Sequence, residues 1–561
     1  MQAQFSLKLE KDVPVAMADG AILRANVFRP DGEGRFGTIL AMGIYGKDEH
    51  FADAFKPQWD DLTARYPHLF RDGSTGRYLR WENVDPERWV PDGFVVVTID
   101  SRGSGKSPGY LDPFSPRETQ DYYEAIAWAA RQPWSNGRVG LLGISYFAIK
   151  QWQVAALRPP ELAAIAPWEG GNDLYRDWSH HGGIFSDQFP KAWWPRQVLV
   201  NQHGNGNSHF RDRDTGEQTT GAALSEMLLG GNRSNHPEDL ARHPLDDAWY
   251  HDRTPDLTRI EVPLLSAGNW GGQGLHLRGN VEGFMCAGSR EKWLFMHVGK
   301  HYESFYLPQY VSTQKKFFDH YLNRAANGWE REPRVQLEIR RPDGIEHRQS
   351  DRWPLPETQW TKLYLDAEQE RLAEGKPLHR AALSYDAFSE GISFSTAPFG
   401  GEFEITGPLV ARLSVASSTT DMDIFATLRA FGPGGDEMLF SGASERTHVT
   451  AGWLRVSHRK LDEGASLPYR PFYKHDEPMK LTPGEIYDVD VELWPTSFVY
   501  LPGWRLMLSI QGRDADVPGF SRRILHHDPR DRSREEFGGR CTIYTGGDSP
   551  SFLLLPVIPR R

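Results

Sequence analysis

The sequence predicts an α/β fold with an inserted helical cap and a C-terminal all-β jelly-roll domain, on three observations. In the first third, short continuous apolar runs alternate with helical patterns, as in a mostly parallel sheet buried on both faces. Between about Arg176 and Thr258 that alternation lapses into stretches rich in Trp, His, Gly and Asn, such as DWSHHGGIF and NQHGNGNSHF. From about Arg334 the apolar period becomes two with frequent Gly and Pro between runs, which indicates an antiparallel sandwich or jelly roll. The expected domains are residues 1–175 with 259–333 for the α/β core, 176–258 for the cap and 334–561 for the β domain.

Parallel strands are expected at Thr38 to Met42, Phe94 to Ile99, Val139 to Leu142, Leu162 to Ala166, Leu264 to Ala267 and Trp293 to Met296, each a run too apolar to face water. Ser115, Pro116 and Glu118 form a capping box, and Tyr122, Ile126 and Ala129 follow on one helical face. In the C-terminal part, Leu409, Ala411, Leu413 and Val415 alternate with polar or outward positions. So do Val489, Val491 and Leu493, and again Trp504, Leu506, Leu508 and Ile510.

Composition narrows the function classes. The 561 residues allow about three or four domains. With 64 basic and 75 acidic residues, a net charge of −11 and no basic block, nothing tracks phosphates, and nucleic acid is excluded as an expected partner. Cys286 and Cys541 are far apart and without CxxC spacing, so they are read as reduced thiols rather than a disulfide or zinc framework. The opening MQAQFSLKLEKD is charged where a signal peptide needs an apolar run, and no stretch approaches a membrane span. The expected compartment is the cytoplasm. The expected partner is a small molecule, with no membrane, and oligomeric state is left open.

The chemistry is carried by Gly143-Ile144-Ser145-Tyr146, which follows the apolar run RVGLL and precedes the helical pattern AIKQWQVAAL. That strand-turn-helix context is what a nucleophile elbow requires: the sharp turn lifts a serine hydroxyl above the sheet edge, and Gly143 leaves room for it. A serine hydroxyl needs a base, expected from the loop after the last core strand, where His301 stands five residues past WLFM; His297, at the strand end, reads as packed. The other histidines lack metal-ligand spacing. Backbone N–H of Tyr146 and the phenol of Tyr45, in the loop after the first central strand, are the expected oxyanion donors. Trp193 and Trp194 in the cap, with Trp168 and Trp270, are candidates for an apolar substrate pocket or for plain packing.

The strings GRVGLLGISYFAIKQWQVAAL, EAIAWAARQPWSNG, VPVAMADGAILRANVFRP, RWPLPETQWTKLYLD and GWLRVSHRKLD together resemble the CocE/NonD hydrolases, a group with cocaine esterase, α-amino acid ester hydrolases and X-prolyl dipeptidyl aminopeptidases. The resemblance spans essentially the whole chain. It implies an α/β-hydrolase core, a helical cap and a C-terminal jelly roll, no metal or organic cofactor, and Ser145, His301 and Tyr45 as nucleophile, base and oxyanion tyrosine.

One departure matters. The family's acid is an aspartate in a Trp-Tyr-Asp-Gly-like turn, whereas this sequence reads Asn269-Trp270-Gly271-Gly272, with Gly271 in the aspartate's place. Without an acid to fix the histidine tautomer, rate falls by about 10⁴. Glu169, at the end of LAAIAPWE and at the same sheet edge as Ser145, is the expected replacement; Asp173 and Asn269 are the alternatives, and substrate-ammonium recognition is another reading of Glu169. The expected activity is hydrolysis of a carboxylic ester or amide through an acyl-enzyme. An X-prolyl dipeptidyl aminopeptidase ranks second, and a catalytically degenerate binding protein is the reading from another class.

Overall fold

The computed structural model describes residues 5–443, 446–517, 525–526 and 528–560. Among these residues ten strands make the first sheet: β1 (Leu7–Ala16), β2 (Ile22–Pro30), β3 (Phe36–Gly43), β4 (Phe94–Asp100), β5 (Ser135–Ile144), β6 (Leu162–Trp168), β7 (Leu264–Asn269), β8 (Lys292–His297), β9 (Val335–Arg341) and β10 (Gly344–Ser350). Their spatial order is β1-β2-β4-β3-β5-β6-β7-β8-β9-β10. The central strands run parallel, and β1, β2 and β10 pair antiparallel at the two ends. The six expected runs all lie in this sheet, and β4 is buried along its whole length because helices cover both faces.

Helix α1 (Pro116–Ala130) starts where the capping box predicts: Ser115 accepts from the Glu118 N–H at 3.2 Å. Glu118 itself does not return to Ser115. It accepts from the backbone of Phe114, from Ser101 and from the Tyr146 hydroxyl at 2.7 Å, and sits 3.2 Å from the buried Lys150 ammonium. The capping residue thus anchors helix α2 (Tyr146–Ala155), which follows Ser145. Helices α3 (Leu277–Cys286) and α4 (Pro308–Leu322) complete the cover.

Two sequence expectations need correction. The first sheet runs past the expected boundary at 334: β9 and β10 read as period-two strands, but β9 pairs parallel with β8 and extends that sheet. An edge strand with one wet face alternates whichever sheet it joins, so period alone did not assign it. The all-β domain begins with the strand Gln359–Asp366, and its ladder closes on itself where Phe403–Ser417 pairs with both Tyr487–Tyr500 and Phe552–Ile558. Leu409, Ala411, Leu413, Val489, Val491, Leu506 and Leu508 point into its core. The cap stretch holds short helices such as Gln188–Trp193, His236–Arg242 and Ala248–His251 between loops.

The tryptophan pocket is the second correction. Trp168 is fully buried, stacks on His297 and donates to Ser304; Trp270 is fully buried beside Trp353 and donates to the Glu338 carbonyl. Trp193 is 1% exposed and Trp194 packs against His236. All four belong to hydrophobic cores, so the large apolar area that suggested a pocket is spent on packing.

Candidate active site

Ser145 stands between β5 and α2 with φ 57° and ψ −113°, a conformation that costs an L-residue about 1 to 3 kcal/mol. The surroundings enforce it. The Ser145 N–H donates to the carbonyls of Trp168 and Glu169, and the Ile144 N–H donates to Glu82. A Cβ on Gly143 would lie 2.6 Å from Cβ of Phe147, and one on Gly170 would lie 2.3 Å from Cβ of Ala148, so the turn closes only with glycine at both places. Glu82 (φ 61°) and Glu169 (φ 47°) share the left-handed region, and all three strained residues meet here.

Glu169 emerges from the end of β6, adjacent to β5, which is why its carboxylate reaches the same sheet edge as Ser145. Its Oε2 accepts from Nδ1 of His301 at 2.7 Å. Its Oε1 is 3.3 Å from Nδ2 of Asn269 and 3.5 Å from Nε2 of His297. Asn269 therefore faces the carboxylate, not the imidazole; its amide also donates to the Gly299 carbonyl and accepts from the Gly271 N–H. Asp173 is taken up otherwise: it caps the Arg176 backbone and pairs with the Arg176 guanidinium. It has no contact with His301.

The space at Gly271 explains the missing aspartate. A Cβ there would lie 2.4 Å from the Ser441 carbonyl oxygen and 2.6 Å from Cα of Gly442. That loop of the β domain also accepts from the His301 N–H through Gly442 and donates to Gly271 through Ala443. The C-terminal domain thus fills the site of the usual acid and supports the histidine backbone.

One imidazole stands at the hydroxyl and a second stacks on it. Nε2 of His276, at the start of α3, is 3.2 Å from Oγ of Ser145. His276 and His301 stack with ring centroids 5.3 Å apart and 19° between planes. Nε2 of His301 is held by Oε1 of Glu82 at 2.9 Å. Burial opposes the His301 imidazolium, but the Glu169 and Glu82 carboxylates outweigh it and push the pKa up to about 10. Burial, with the charge of His301 next to it, holds His276 well below the ordinary histidine range, hence neutral and able to accept the serine proton. Burial raises Glu82 despite the His301 hydrogen bond.

Sequence reasoning missed His276 and Glu82. His276 sits in GGQGLHLRGN, a glycine-rich turn whose reach toward another strand no local period encodes, and Glu82 lies in a loop on the far side of β4 in the chain.

Tyr45 follows β3, buried, its ring 5.6 Å from that of Tyr146. Its hydroxyl accepts from the Trp193 indole at 2.9 Å, which leaves the phenolic proton free to donate. Trp193 thus orients this tyrosine from the cap. The Tyr146 N–H is the first of α2 and has no acceptor within its own helix. No group of His, Cys, Asp and Glu suited to a metal ion occurs among the described residues. No helix among them is long and apolar enough to cross a membrane.

Residues 19–303 match the model of the X-Pro dipeptidyl-peptidase S15 family, and 327–554 match that of the X-Pro dipeptidyl-peptidase C-terminal non-catalytic domain. A solved CocE/NonD family hydrolase from Staphylococcus aureus is 35% identical, covers 99% of this chain and 94% of its own, and superposes with a TM-score of 0.85. The chain belongs to the CocE/NonD family of hydrolases. Cocaine esterase from a Rhodococcus species is 25% identical over 98% of each chain, and a putative Xaa-Pro dipeptidyl-peptidase from Streptomyces avermitilis is 21% identical over 76% of this chain and 68% of its own. As a member of the CocE/NonD family it is a serine hydrolase of the class that cleaves ester or amide bonds.

Proposed function

We propose that the chain is a carboxylic ester hydrolase in which Ser145 forms the acyl-enzyme. The observation that carries this reading is the strained serine at a strand-helix elbow with an imidazole on its hydroxyl and a carboxylate-bound histidine stacked beside it. His301, once it has given up its Nε2 proton to solvent and with the remaining Nδ1 proton held by Glu169, takes the serine proton and returns it to the leaving group. Asn269 and His297 fix the carboxylate, and Asp173 has no part. Tyr45 and the Tyr146 N–H receive the oxyanion. His276 holds the hydroxyl in the free enzyme, and His301 leaves Glu82 when it turns Nε2 to Ser145. The two unpaired cysteines agree with a cytoplasmic setting.

Short p-nitrophenyl esters are expected to turn over with higher kcat/KM than an Xaa-Pro anilide; the reverse order transfers the assignment to the peptidase branch. Tyr45→Phe removes the only proton its side chain can donate and is expected to lower kcat by about 10² to 10³. Unchanged turnover takes Tyr45 out of the mechanism.

Glu82 sets the pH response. A base with a raised pKa is protonated below that pKa and gains its active form as pH rises, so kcat/KM is expected to climb through neutral into alkaline pH. Glu82→Gln removes one of the two carboxylates that stabilise the imidazolium and is expected to move this limb to lower pH. A limb that stays in place shows that Glu82 does not govern the titration.

A further inference from the structure

A cavity of about 300 Å³ adjoins the site at Tyr45 and is walled besides by Trp81, Phe147, Arg80 and Arg196 among others, with Ser145 and the two histidines outside its lining. Its volume is at the lower end of that of small-ligand pockets. It shares Tyr45 with the oxyanion donors, and Trp81 and Asn83 in its wall flank Glu82, the partner of His301.

The charge balance of this wall is unusual. Arg80 is buried, 7% exposed, and no carboxylate among the described residues comes within ion-pair distance of it. Among the described residues only one of its five N–H groups finds an acceptor, Nε donating to the Lys47 carbonyl at 2.8 Å, while Nη1 is buried with no partner there. The carboxylates nearest in field are committed elsewhere: Asp48 to Lys47, Asp212 to Lys11, Asp214 to Lys11 and Arg77. Arg196 lines the same cavity, is exposed, and has no ion pair among the described residues. Lys47, also in the wall, is neutralised by Asp12 and Asp48.

Among the described residues Glu49 is the one acid lining the cavity. Burial holds its carboxyl well above the ordinary range, and it accepts from Nδ2 of Asn201 at 2.7 Å. It feels the Arg80 charge but does not come within ion-pair distance of the guanidinium. A buried cation without a counter-ion costs free energy that an incoming anion offsets. A planar fork of N–H donors is matched best by a carboxylate.

We infer that this cavity receives a carboxylate on the substrate, so that the preferred substrates are anionic esters or amides, with the carboxylate bound by Arg80 and drawn in by Arg196. The inference rests on the hydrolase reading above. Trp81 and Phe147 would flank the short carbon chain between the carboxylate and the scissile carbonyl or oxygen.

Two pairs of probes test it. Mono-p-nitrophenyl glutarate against p-nitrophenyl butyrate places the anion on the acyl side; 4-acetoxybenzoate against its methyl ester places it on the leaving group. The expected result is a kcat/KM ratio, anionic over neutral, of about tenfold or more in one pair, falling toward one in Arg80→Gln and partly kept in Arg80→Lys. Should Arg80→Gln fail to fold, competitive inhibition of neutral-ester hydrolysis by glutarate, weakened in Arg196→Gln, supports the inference. Neutral esters turned over with no anionic preference in either pair, and no inhibition by glutarate, overturn it while leaving the hydrolase standing. A wild type that neither turns over any ester nor reacts with a fluorophosphonate overturns the hydrolase reading itself.

Discussion

Replacing Ser145 with alanine is expected to lower kcat toward p-nitrophenyl esters by about 10⁶ and to abolish fluorophosphonate labelling in intact mass, because no other hydroxyl at the site has both the elbow and the imidazole. The loss is chemical, not structural. Alanine at φ 57° bears the same backbone strain as serine, and the N–H bonds to Trp168 and Glu169 do not involve the side chain. The thermal midpoint should therefore move little. Ser145→Gly is the informative companion: it removes the hydroxyl and relieves the strain, so activity should be lost while stability rises by about 1 kcal/mol or more. A labelled Ser145→Ala protein would move the nucleophile elsewhere. A Ser145→Gly protein no more stable than wild type would show that the elbow is not strained.

The parts of this molecule that local chemistry encodes were legible. A strand buried on both faces must be apolar throughout, so β3 to β8 announce themselves; a helix that begins at Ser115-Pro116 must satisfy its first N–H groups, and it does. The Gly143-Ile144-Ser145 turn is legible for the same reason, since only a short-range pattern is needed to place a serine between a strand and a helix. Glu169 was reachable because strand order puts the ends of β5 and β6 side by side. What escaped is whatever depends on chain brought from a distance. Glu82 and His276 meet at His301 and Ser145 from separate loops, and the loop at Ser441 and Gly442 closes over Gly271 from another domain. The tryptophans misled in the opposite sense, since large apolar area says that a side chain is buried and not whether it is buried against protein or ligand.

Glu169→Gln is expected to lower kcat by about 10⁴, the loss that follows when a histidine base keeps its place but loses the carboxylate that fixes its tautomer. The amide retains the side chain's shape and its approach to Asn269, so folding should persist; what changes is that Nδ1 of His301 no longer faces an anion. With the carboxylate gone the His301 pKa falls, because Glu169 contributes most to raising it, and the residual activity should show its acid limb at lower pH than wild type. The same experiment on His276 separates the two imidazoles. His276→Gln removes one hydrogen bond to the serine hydroxyl and is expected to cost about 10- to 30-fold, whereas His301→Gln should match the Glu169 variant or exceed it. The double variant Glu169→Gln with His301→Gln should be scarcely worse than His301→Gln alone, since a carboxylate that acts through an imidazole has nothing to act on once the imidazole is gone. If His276→Gln instead brings the larger loss and Glu169→Gln is nearly silent, the proton goes to the imidazole already on the hydroxyl, and the Glu169–His301–Glu82 cluster serves as the charged neighbour that sets its pKa.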